Sequence, residues 1–487
     1  MTLELVEILS ILLAIPVLAS SYYATILFTS SLFYPRKLEP TSPNGAGSPR
    51  VSVVVATYNE KFVVGKTLDA LKSLRYPRGK IKLIIADDST DETRETIDGK
   101  CVELRNLGFE TVVSRRESRA GFKSGALNQA VPLLDGEYVL LLDADSVVTS
   151  DVLATGLAEF ASRRDLAFVS YRVGHYNREQ NLVTKLFALS LDLGDTQTKM
   201  GAYRINTPFS FQGGFVLLSR AILEELGYWS VGTITEDADL SCKIYAMGRR
   251  GVYLSNVRIF SEDPQTLEVW KRQSARVAQG WAKCLKQNWK RIVWTSKLSV
   301  PKRVALLMMF LNPFSSLCWI ILTFLSALAI ALGISVGSNS LFSSLWYNIL
   351  ITAPALSFFG AAAYSLFLQR IATLRNLALL PLLSYTGFGM FAAIAIGFVK
   401  GIRGETGIFF RTPKTGGTHQ KTADYFQRLG WDKRSVAETS LALTAIILAI
   451  PVILQGVWFL ALSLIGFGLL TLKSINFSRL RQTKQTC

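Results

Sequence analysis

The chain has 487 residues, is 49% hydrophobic and carries a formal net charge of +17. Its apolar residues concentrate in runs near the N-terminus and in the last third, which excludes a simple row of soluble domains. We attribute the positive charge to cytoplasmic loops beside anionic lipid headgroups, and we expect no nucleic-acid partner. Two histidines exclude a His-based metal site, and five cysteines without a CxxC motif predict reduced thiols.

The first predicted element is a membrane helix within residues 1–36. The stretch from about Leu5 to Phe33 is almost uncharged after Glu7 and exceeds the roughly 20 residues that a bilayer core requires. Acidic residues precede it, unlike a signal peptide, and Arg36 and Lys37 follow it. The positive-inside rule therefore predicts an external N-terminus, and residues 37–49 are a predicted linker into a cytoplasmic region.

Residues 50–300 have the pattern of a soluble α/β domain. Val51–Val55, Lys82–Ala86 and Tyr138–Leu142 are short apolar runs typical of buried strands, and helical patterns lie between them. Strands that alternate with helices predict an open, doubly wound sheet. Ligands bind at the carboxyl ends of the strands in such sheets, so the residues after each strand are the candidate site.

Apolar segments return after residue 300. We predict transmembrane or interfacial helices at 301–399, a cytoplasmic basic loop at 400–437, a transmembrane hairpin at 438–473 and a basic tail at 474–487. The segment 376–399 has basic residues on both flanks, so the sequence leaves open whether it crosses the membrane or lies at its interface. The pattern as a whole predicts a multi-pass membrane protein with a cytoplasmic catalytic domain, in the plasma membrane of a prokaryote.

Polar and acidic residues follow each of the three predicted strands. Close carboxylates repel one another unless a divalent cation and a polar ligand neutralise them, and Mg²⁺ suits one or two carboxylates with diphosphate oxygens. Asp143 and Asp145 form an Asp-x-Asp (DxD) motif. Side chains two apart on a strand point the same way, so one of these carboxylates could bind a metal while the other orients a ribose or water. A solvated loop and a helix N-cap at the second strand are the alternatives. The residues are Thr57, Tyr58 and Glu60, then Asp87 and Asp88, then Asp143 and Asp145.

Three further motifs supply candidate site residues. Lys123 lies between two glycines at a helix start, which suits a diphosphate, or else forms a solvated basic turn. Glu236 and Asp237 begin an apolar helix. This acidic start could supply a general base, or the acids could be there because the helix dipole favours them in a first turn. Gln273 and Arg276 share a helix face, where the guanidinium could stabilise a leaving diphosphate or lie at the membrane surface.

In this order the motifs resemble the membrane-bound family 2 glycosyltransferases, the group of processive cellulose, hyaluronan and glucomannan synthases. The resemblance covers roughly Arg50 to Lys414. It implies a Rossmann-like α/β domain of the GT-A type beside an α-helical transmembrane domain. It further implies inversion at the anomeric carbon by direct displacement, a UDP- or GDP-sugar donor, and Mg²⁺ or Mn²⁺.

The resemblance also implies roles at the matching positions. Thr57, Tyr58 and Glu60, with Asp87 or Asp88, correspond to the base and ribose site, Lys123 to the diphosphate contact, and Asp143 and Asp145 to the metal-binding DxD. Gly213 lies in Phe211-Gln212-Gly213-Gly214, which resembles the acceptor-side finger motif, and Asp237 corresponds to the catalytic base.

Two further motifs match less simply. Gln273-x-x-Arg276 resembles QxxRW, but Val277 replaces the Trp and Trp281 falls four residues later. Phe410-Arg411-Thr412-Pro413-Lys414 resembles a gating loop in which Thr412 and Lys414 meet the donor, although a basic cytoplasmic loop would have a similar composition.

Three hypotheses remain open. The leading one is an inverting hexosyltransferase that builds a β-linked glycan at the membrane and couples synthesis to export. The second is a lipid glycosyltransferase that adds one sugar to diacylglycerol, ceramide or polyprenyl phosphate. The third, a non-catalytic transport or scaffold protein, is disfavoured by the intact Asp143, Asp145 and Asp237. The oligomeric state stays open.

Overall fold

The structure is a computed structural model. It describes residues 3–33, 48–333, 345–368, 371–405, 414, 416, 426–428, 433–454, 458–478 and 480–482. Thr412 and the rest of the predicted gating motif before Lys414 lie outside these ranges, as does most of the predicted linker at 37–49. The predicted division into domains stays a prediction, and the elements below are those within the described ranges.

An eight-stranded mixed sheet organises the region that was predicted as a soluble domain. Its order is β3-β2-β1-β4-β7-β6-β8-β5. Strands β1 to β4 are mutually parallel where they pair, whereas β7 runs antiparallel to both β4 and β6. The three predicted strands are confirmed as β1, β2 and β4, but the reversed β7 was not predicted. The strands are β1 Val51–Thr57, β2 Ile81–Asp87, β3 Glu110–Arg115, β4 Tyr138–Asp143, β5 Val147–Val148, β6 Leu166–His175, β7 Phe215–Ser219 and β8 Arg250–Ser261.

Helices cover both faces of this sheet, which explains why its parallel strands are apolar throughout. Val53 and Val55 belong to one buried cluster, while Val54 and Ile84 belong to the cluster on the opposite face. The fold is therefore a two-sided α/β layer. Its helices are α2 Val64–Leu71, α3 Thr93–Asn106, α4 Phe122–Ala130, α5 Val152–Ser162, α6 Leu182–Gly194, α7 Gly201–Arg204, α8 Arg220–Glu225, α9 Glu236–Ala246 and α10 Leu267–Trp294, with a π-helical turn at Asp195–Met200.

Apolar helices flank the α/β layer in the sequence. Within the described ranges, three segments are long and apolar enough to cross a membrane: Ile8–Ser31, Val300–Ala331 and Leu374–Arg403. The third covers the segment whose placement the sequence left open, and it has the length of a span. The helices are α1 Leu3–Ser31, α11 Val300–Ala331, α12 Leu345–Leu368, α13 Leu374–Leu377, α14 Leu380–Arg403, α15 Lys433–Leu454 and α16 Trp458–Ser478; a short antiparallel pair joins β9 Phe426–Arg428 to β10 Leu480–Gln482.

The predicted thiols agree with the structure, whereas the transmembrane hairpin stays a prediction. Helices α15 and α16 pack against each other, and α15 ends at Leu454, within the predicted break from Pro451 to Gly456. The four cysteines in the described ranges, Cys101, Cys242, Cys284 and Cys318, are free and buried. Cys487 lies outside those ranges.

Helix α14 packs closely along α10, and a glycine permits this approach. A Cβ built on Gly397 would lie 2.2 Å from the backbone oxygen of Ala275 on α10, so any side chain there would push the helices apart. Gly387 on the same helix has no neighbouring atom within 4 Å of its own Cβ position. It therefore offers a matched control.

We predict that Gly397→Ala lowers the thermal midpoint of the detergent-solubilised protein, because the added methyl group meets backbone rather than a mobile side chain. Gly387→Ala should be neutral or slightly stabilising, since Ala is favoured over Gly inside a helix by roughly 0.5–1 kcal/mol. Thermal unfolding followed by intrinsic fluorescence measures both variants. Equal midpoints for the two would contradict the tight packing of α14 on α10.

Candidate active site

A cavity of about 240 Å³ opens at the carboxyl ends of β1 and β4. This is the edge at which a doubly wound sheet binds ligands. Residues from the β1, β2 and β4 ends, from α4, from α9 and from α10 form its wall. The lining side chains and backbone belong to Ala56, Thr57, Tyr58, Glu60, Asp88, Arg119, Lys123, Ala126, Asp143, Ala144, Asp145, Gly213, Ile234, Thr235, Glu236, Asp237, Gln273, Arg276, Val277 and Lys414.

One end of the cavity combines an aromatic ring, two arginines and a carboxylate. The Arg119 guanidinium lies 3.4 Å from the centroid of the Tyr58 ring, a cation–π arrangement that fixes the ring at the wall. Asp88 accepts hydrogen bonds from Arg116 Nε at 2.7 Å and from Nη2 at 2.6 Å. A planar ring beside a bidentate arginine–carboxylate pair suits a flat base and hydroxyl groups.

Asp87 lies apart from the cavity. Its Oδ2 pairs with Arg115 Nε at 2.8 Å, and its Oδ1 accepts the backbone N–H of Ser89 at 2.9 Å. Of the two alternatives at this strand end, the structure therefore brings only Asp88 into the cavity wall. The N-cap interpretation is wrong, because α3 begins at Thr93 with Glu92 as its N-cap residue.

Asp143 and Asp145 both line the cavity, although the strand geometry differs from the prediction. Strand β4 ends at Asp143, and Asp145 lies in the turn that follows. Lys123 Nζ lies 2.6 Å from Asp143 Oδ1 and 3.0 Å from Glu236 Oε1. Lys414 Nζ lies 2.7 Å from Asp145 Oδ2. Each carboxylate of the DxD thus faces an ammonium group.

These pairs shift the pKa values of their members. Burial alone would lower the pKa of Lys123, but Asp143 and Glu236 raise it well above its ordinary value. Burial would raise the pKa of Asp143, but Lys123 holds it below its ordinary value. Lysine and carboxylate are therefore both charged at neutral pH, and they form an ion pair in the cavity wall.

Asp237 lies on the first turn of α9, beside the loop that contains Gly213 and Gly214. Its Oδ2 accepts the backbone N–H of Gly213 at 3.1 Å, and its Oδ1 accepts that of Ala238 at 2.8 Å. Burial, with the neighbouring Glu236 charge, raises its pKa to about 6. A Cβ on Gly213 would lie 2.9 Å from Lys123 Nζ and 3.0 Å from Glu236 Oε1, so a side chain there would displace the ends of these two side chains. A carboxylate with a pKa near neutrality can accept a proton under physiological conditions.

Helix α10 contributes the remaining wall. Gln273, Arg276 and Val277 all line the cavity, so Arg276 faces the site rather than a membrane surface. Burial lowers the pKa of Arg276. The side-chain oxygen of Gln273 is buried and makes no hydrogen bond within the described residues. Trp281 is separate and packs edge-on against Phe310 of α11, with ring centroids 6.0 Å apart.

The cavity brings together all but two of the residues that the sequence singled out; Asp87 lies elsewhere and Thr412 is outside the described ranges. Their roles stay predictions. Sequence reasoning missed Glu262, whose backbone N–H donates to Asp145 Oδ2 at 2.9 Å and whose carbonyl accepts Lys414 Nζ at 2.6 Å. The available signal was an acidic pair, Glu262 and Asp263, directly after an apolar strand.

The donor atoms suit a divalent cation only in company with another ligand. In the part of the chain that the structure describes, no group of three or more His, Cys, Asp or Glu side chains could form a metal cage. Asp143 and Asp145 supply oxygen ligands at the cavity. One or two carboxylates with diphosphate oxygens and water make up an Mg²⁺ or Mn²⁺ site, so the residues fit a cation that arrives with a diphosphate.

The sequence and the fold of this region are similar to those of known proteins. Residues 49–280 match the family model described as glycosyltransferase-like family 2. This part of the chain is similar to the family 2 glycosyltransferases. The prediction of the family from the ordered motifs is confirmed.

The proteins to which this chain is similar include plant mannosyltransferases. It is 27% identical over 260 residues to glucomannan 4-beta-mannosyltransferase 1 of Oryza sativa subsp. japonica, which is 53% of this chain and 50% of that protein. It is 26% identical over 322 residues to glucomannan 4-beta-mannosyltransferase 2 of Arabidopsis thaliana, 63% of this chain and 60% of that protein. The chain thus spans about half to three fifths of the length of these relatives.

Among solved structures, the mannosyltransferase PcManGT from Pyrobaculum calidifontis, in complex with GDP-Man and Mn²⁺, resembles this chain with a TM-score of 0.53. The likeness covers 82% of this chain and 99% of that one, at 23% identity. It confirms the predicted GT-A-type fold.

The raised pKa of Asp237 generates a stability prediction. A carboxyl group whose pKa rises from 3.8 to about 6 on folding binds more protons in the folded state between those values. Its contribution to the free energy of unfolding therefore falls as the pH rises from about 4 to about 6, and it stays low at higher pH. Asp237→Asn removes this effect. We therefore compare the thermal midpoint of the variant minus that of wild type at two pH values. This difference should be higher by at least about 2 °C at pH 7.5 than at pH 4.5.

Differential scanning fluorimetry in detergent at the two pH values measures this difference. Glu137→Gln, at an exposed carboxylate far from the cavity, serves as the control and should follow wild type at both values. A pH-independent difference for Asp237→Asn would contradict the raised pKa.

Proposed function

We propose that the chain is a metal-dependent, inverting glycosyltransferase that transfers a hexose from a nucleoside-diphosphate sugar and builds a β-linked glycan at a membrane. The observation that carries this proposal is the shared cavity, which is lined by the Tyr58 ring, by a DxD with two lysines and by a carboxylate of raised pKa. The names of the plant relatives, and GDP-Man in the PcManGT complex, favour GDP-mannose as the first donor to test.

The donor would lie along the cavity from β1 to α9. Tyr58, Glu60 and Asp88 would contact the base and ribose beside Thr57, and Lys123 with Lys414 would bind the diphosphate oxygens. Asp143 and Asp145 would hold Mg²⁺ or Mn²⁺, which when bound neutralises charge that develops on the leaving diphosphate. Arg276 adds a fixed guanidinium on the same side, and Gln273 offers a buried oxygen to a sugar hydroxyl.

Asp237 is the proposed general base. The acceptor hydroxyl oxygen attacks the anomeric carbon, the bond to the diphosphate breaks, and the hydroxyl proton moves to the Asp237 carboxylate. The Gly213 and Ala238 N–H groups fix the orientation of this carboxylate. Glu236 stays paired with Lys123 and raises the pKa of its neighbour. One displacement at the anomeric carbon inverts its configuration.

The acceptor and the membrane coupling are the open part of the proposal. We propose a cytoplasmic catalytic domain, held by several membrane spans in a prokaryotic plasma membrane, that passes a growing glycan to its membrane helices for export. Val277 favours a second candidate, transfer of one sugar to a lipid. A small side chain at this position in the wall leaves room where the related motif has a Trp, and α10 packs directly on α14.

Incubation of the purified protein in detergent with radiolabelled GDP-mannose, and in parallel with UDP-glucose and UDP-N-acetylglucosamine, tests the activity. We expect label to pass from one donor into product, EDTA to abolish transfer, and Mn²⁺ or Mg²⁺ to restore it. Organic extraction separates lipid-linked from polymeric product and decides between the two acceptors. Undiminished transfer in chelator would refute the metal role of Asp143 and Asp145, and hydrolysis without transfer would refute the function.

Asp237→Asn tests the proposed base. The substitution preserves shape and removes proton acceptance, so we expect the transfer rate to fall by roughly 10²-fold or more with donor affinity retained. In wild type, kcat/KM should decline as pH falls through about 6, because protonation removes the base. Loss of donor binding in the variant would instead make Asp237 a ligand contact.

A further inference from the structure

The two carboxylates of the DxD already bind cations that belong to the chain itself. Lys123 Nζ lies 2.6 Å from Asp143 Oδ1, and Lys414 Nζ lies 2.7 Å from Asp145 Oδ2. These are the side chains that would hold a divalent cation. An incoming cation therefore competes with an ammonium group at each of its two protein ligands.

Neither lysine is a loose surface side chain. Both are only 15% exposed, and Lys123 is held a second time by Glu236 Oε1 at 3.0 Å. Lys414 also donates to the Glu262 carbonyl at 2.6 Å, and the neighbouring Gly416 N–H donates to Glu262 Oε2 at 2.9 Å. The ammonium groups are positioned on the carboxylates by the surrounding chain.

A divalent cation that entered alone would face an electrostatic conflict. It would take the carboxylate oxygens and leave Lys123 with Glu236 alone and Lys414 with the Glu262 carbonyl, two partly buried ammonium groups beside a doubly charged ion. A diphosphate removes the conflict, because its oxygens accept hydrogen bonds from both lysines and complete the coordination of the cation. The two ligands should then enter together.

We propose that Lys123 and Lys414 are internal substitutes for the metal ion on Asp143 and Asp145, so that a divalent cation binds tightly only together with a nucleoside diphosphate. The proposal rests on the proposed function, since it assigns the DxD to metal and the lysines to diphosphate. It adds that the metal-free site is electrostatically complete and that metal and nucleotide binding are coupled.

The test measures Mn²⁺ affinity of the full chain in detergent by electron paramagnetic resonance of free Mn²⁺, with and without saturating GDP or UDP. We expect nucleotide to tighten Mn²⁺ binding at least tenfold, within the usual range of coupling between two ligands. By reciprocity, Mn²⁺ should tighten nucleotide binding by the same factor. Equal Mn²⁺ affinity with and without nucleotide overturns the proposal.

Lys414→Met removes one substitute. It should strengthen Mn²⁺ binding in the absence of nucleotide and reduce the coupling factor, and Lys123→Met should do the same at Asp143. Lys61→Met is the matched control: it removes one positive charge from a pair with Glu92, at 2.6 Å, outside the cavity wall. An unchanged affinity in both cavity variants, or an equal gain in Lys61→Met, overturns the proposal.

The outcomes separate this proposal from the function on which it rests. If wild type transfers sugar in a metal-dependent way yet binds Mn²⁺ equally well without nucleotide, only the substitution by lysines fails. If neither GDP nor UDP binds at any Mn²⁺ concentration and no donor is turned over, the proposed function fails and the coupling fails with it.

Discussion

The compensation of carboxylates at one edge of the sheet is the constraint on which the site depends. Asp88, Asp143, Asp145, Glu236 and Asp237 all face the same cavity, where water cannot screen their mutual repulsion fully. Four of them form ion pairs with basic side chains: Asp88 with an arginine, and Glu236 and each residue of the DxD with a lysine. Asp237 accepts hydrogen bonds from backbone N–H groups instead, and burial together with the Glu236 charge raises its pKa.

This compensation also ties distant parts of the chain together. Lys123 from α4 bridges the end of β4 to the start of α9, and Lys414, which follows α14 in the sequence, contacts the turn after β4. Removing one partner of such a pair leaves a partly buried charge, which costs more than the pair itself contributes. The ion pairs that connect these elements therefore also determine the net charge of the cavity wall.

Several features of this architecture were predictable from local sequence. Strands β1, β2 and β4 are short apolar runs because helices bury both their faces, and polar residues at their ends must then meet at one edge. The direction of β7 was not predictable, since an apolar run has the same pattern in either direction. Asp87 and Asp88 are adjacent residues of the same type that pair with different arginines, so the sequence could not choose between them. Glu262 was missed because its partner Lys414 is 152 residues away.

Helix α10 both lines the cavity and packs against the apolar helices that are long enough to cross a membrane. Its first half carries Gln273, Arg276 and Val277 into the cavity wall. The close approach of Gly397 to Ala275 joins that same half to α14, within a segment long enough to cross a membrane. Farther along, Trp281 packs on α11, a second such segment. A displacement of either apolar helix would therefore be transmitted to a guanidinium and an amide in the cavity, because packed helices move as units rather than deforming smoothly.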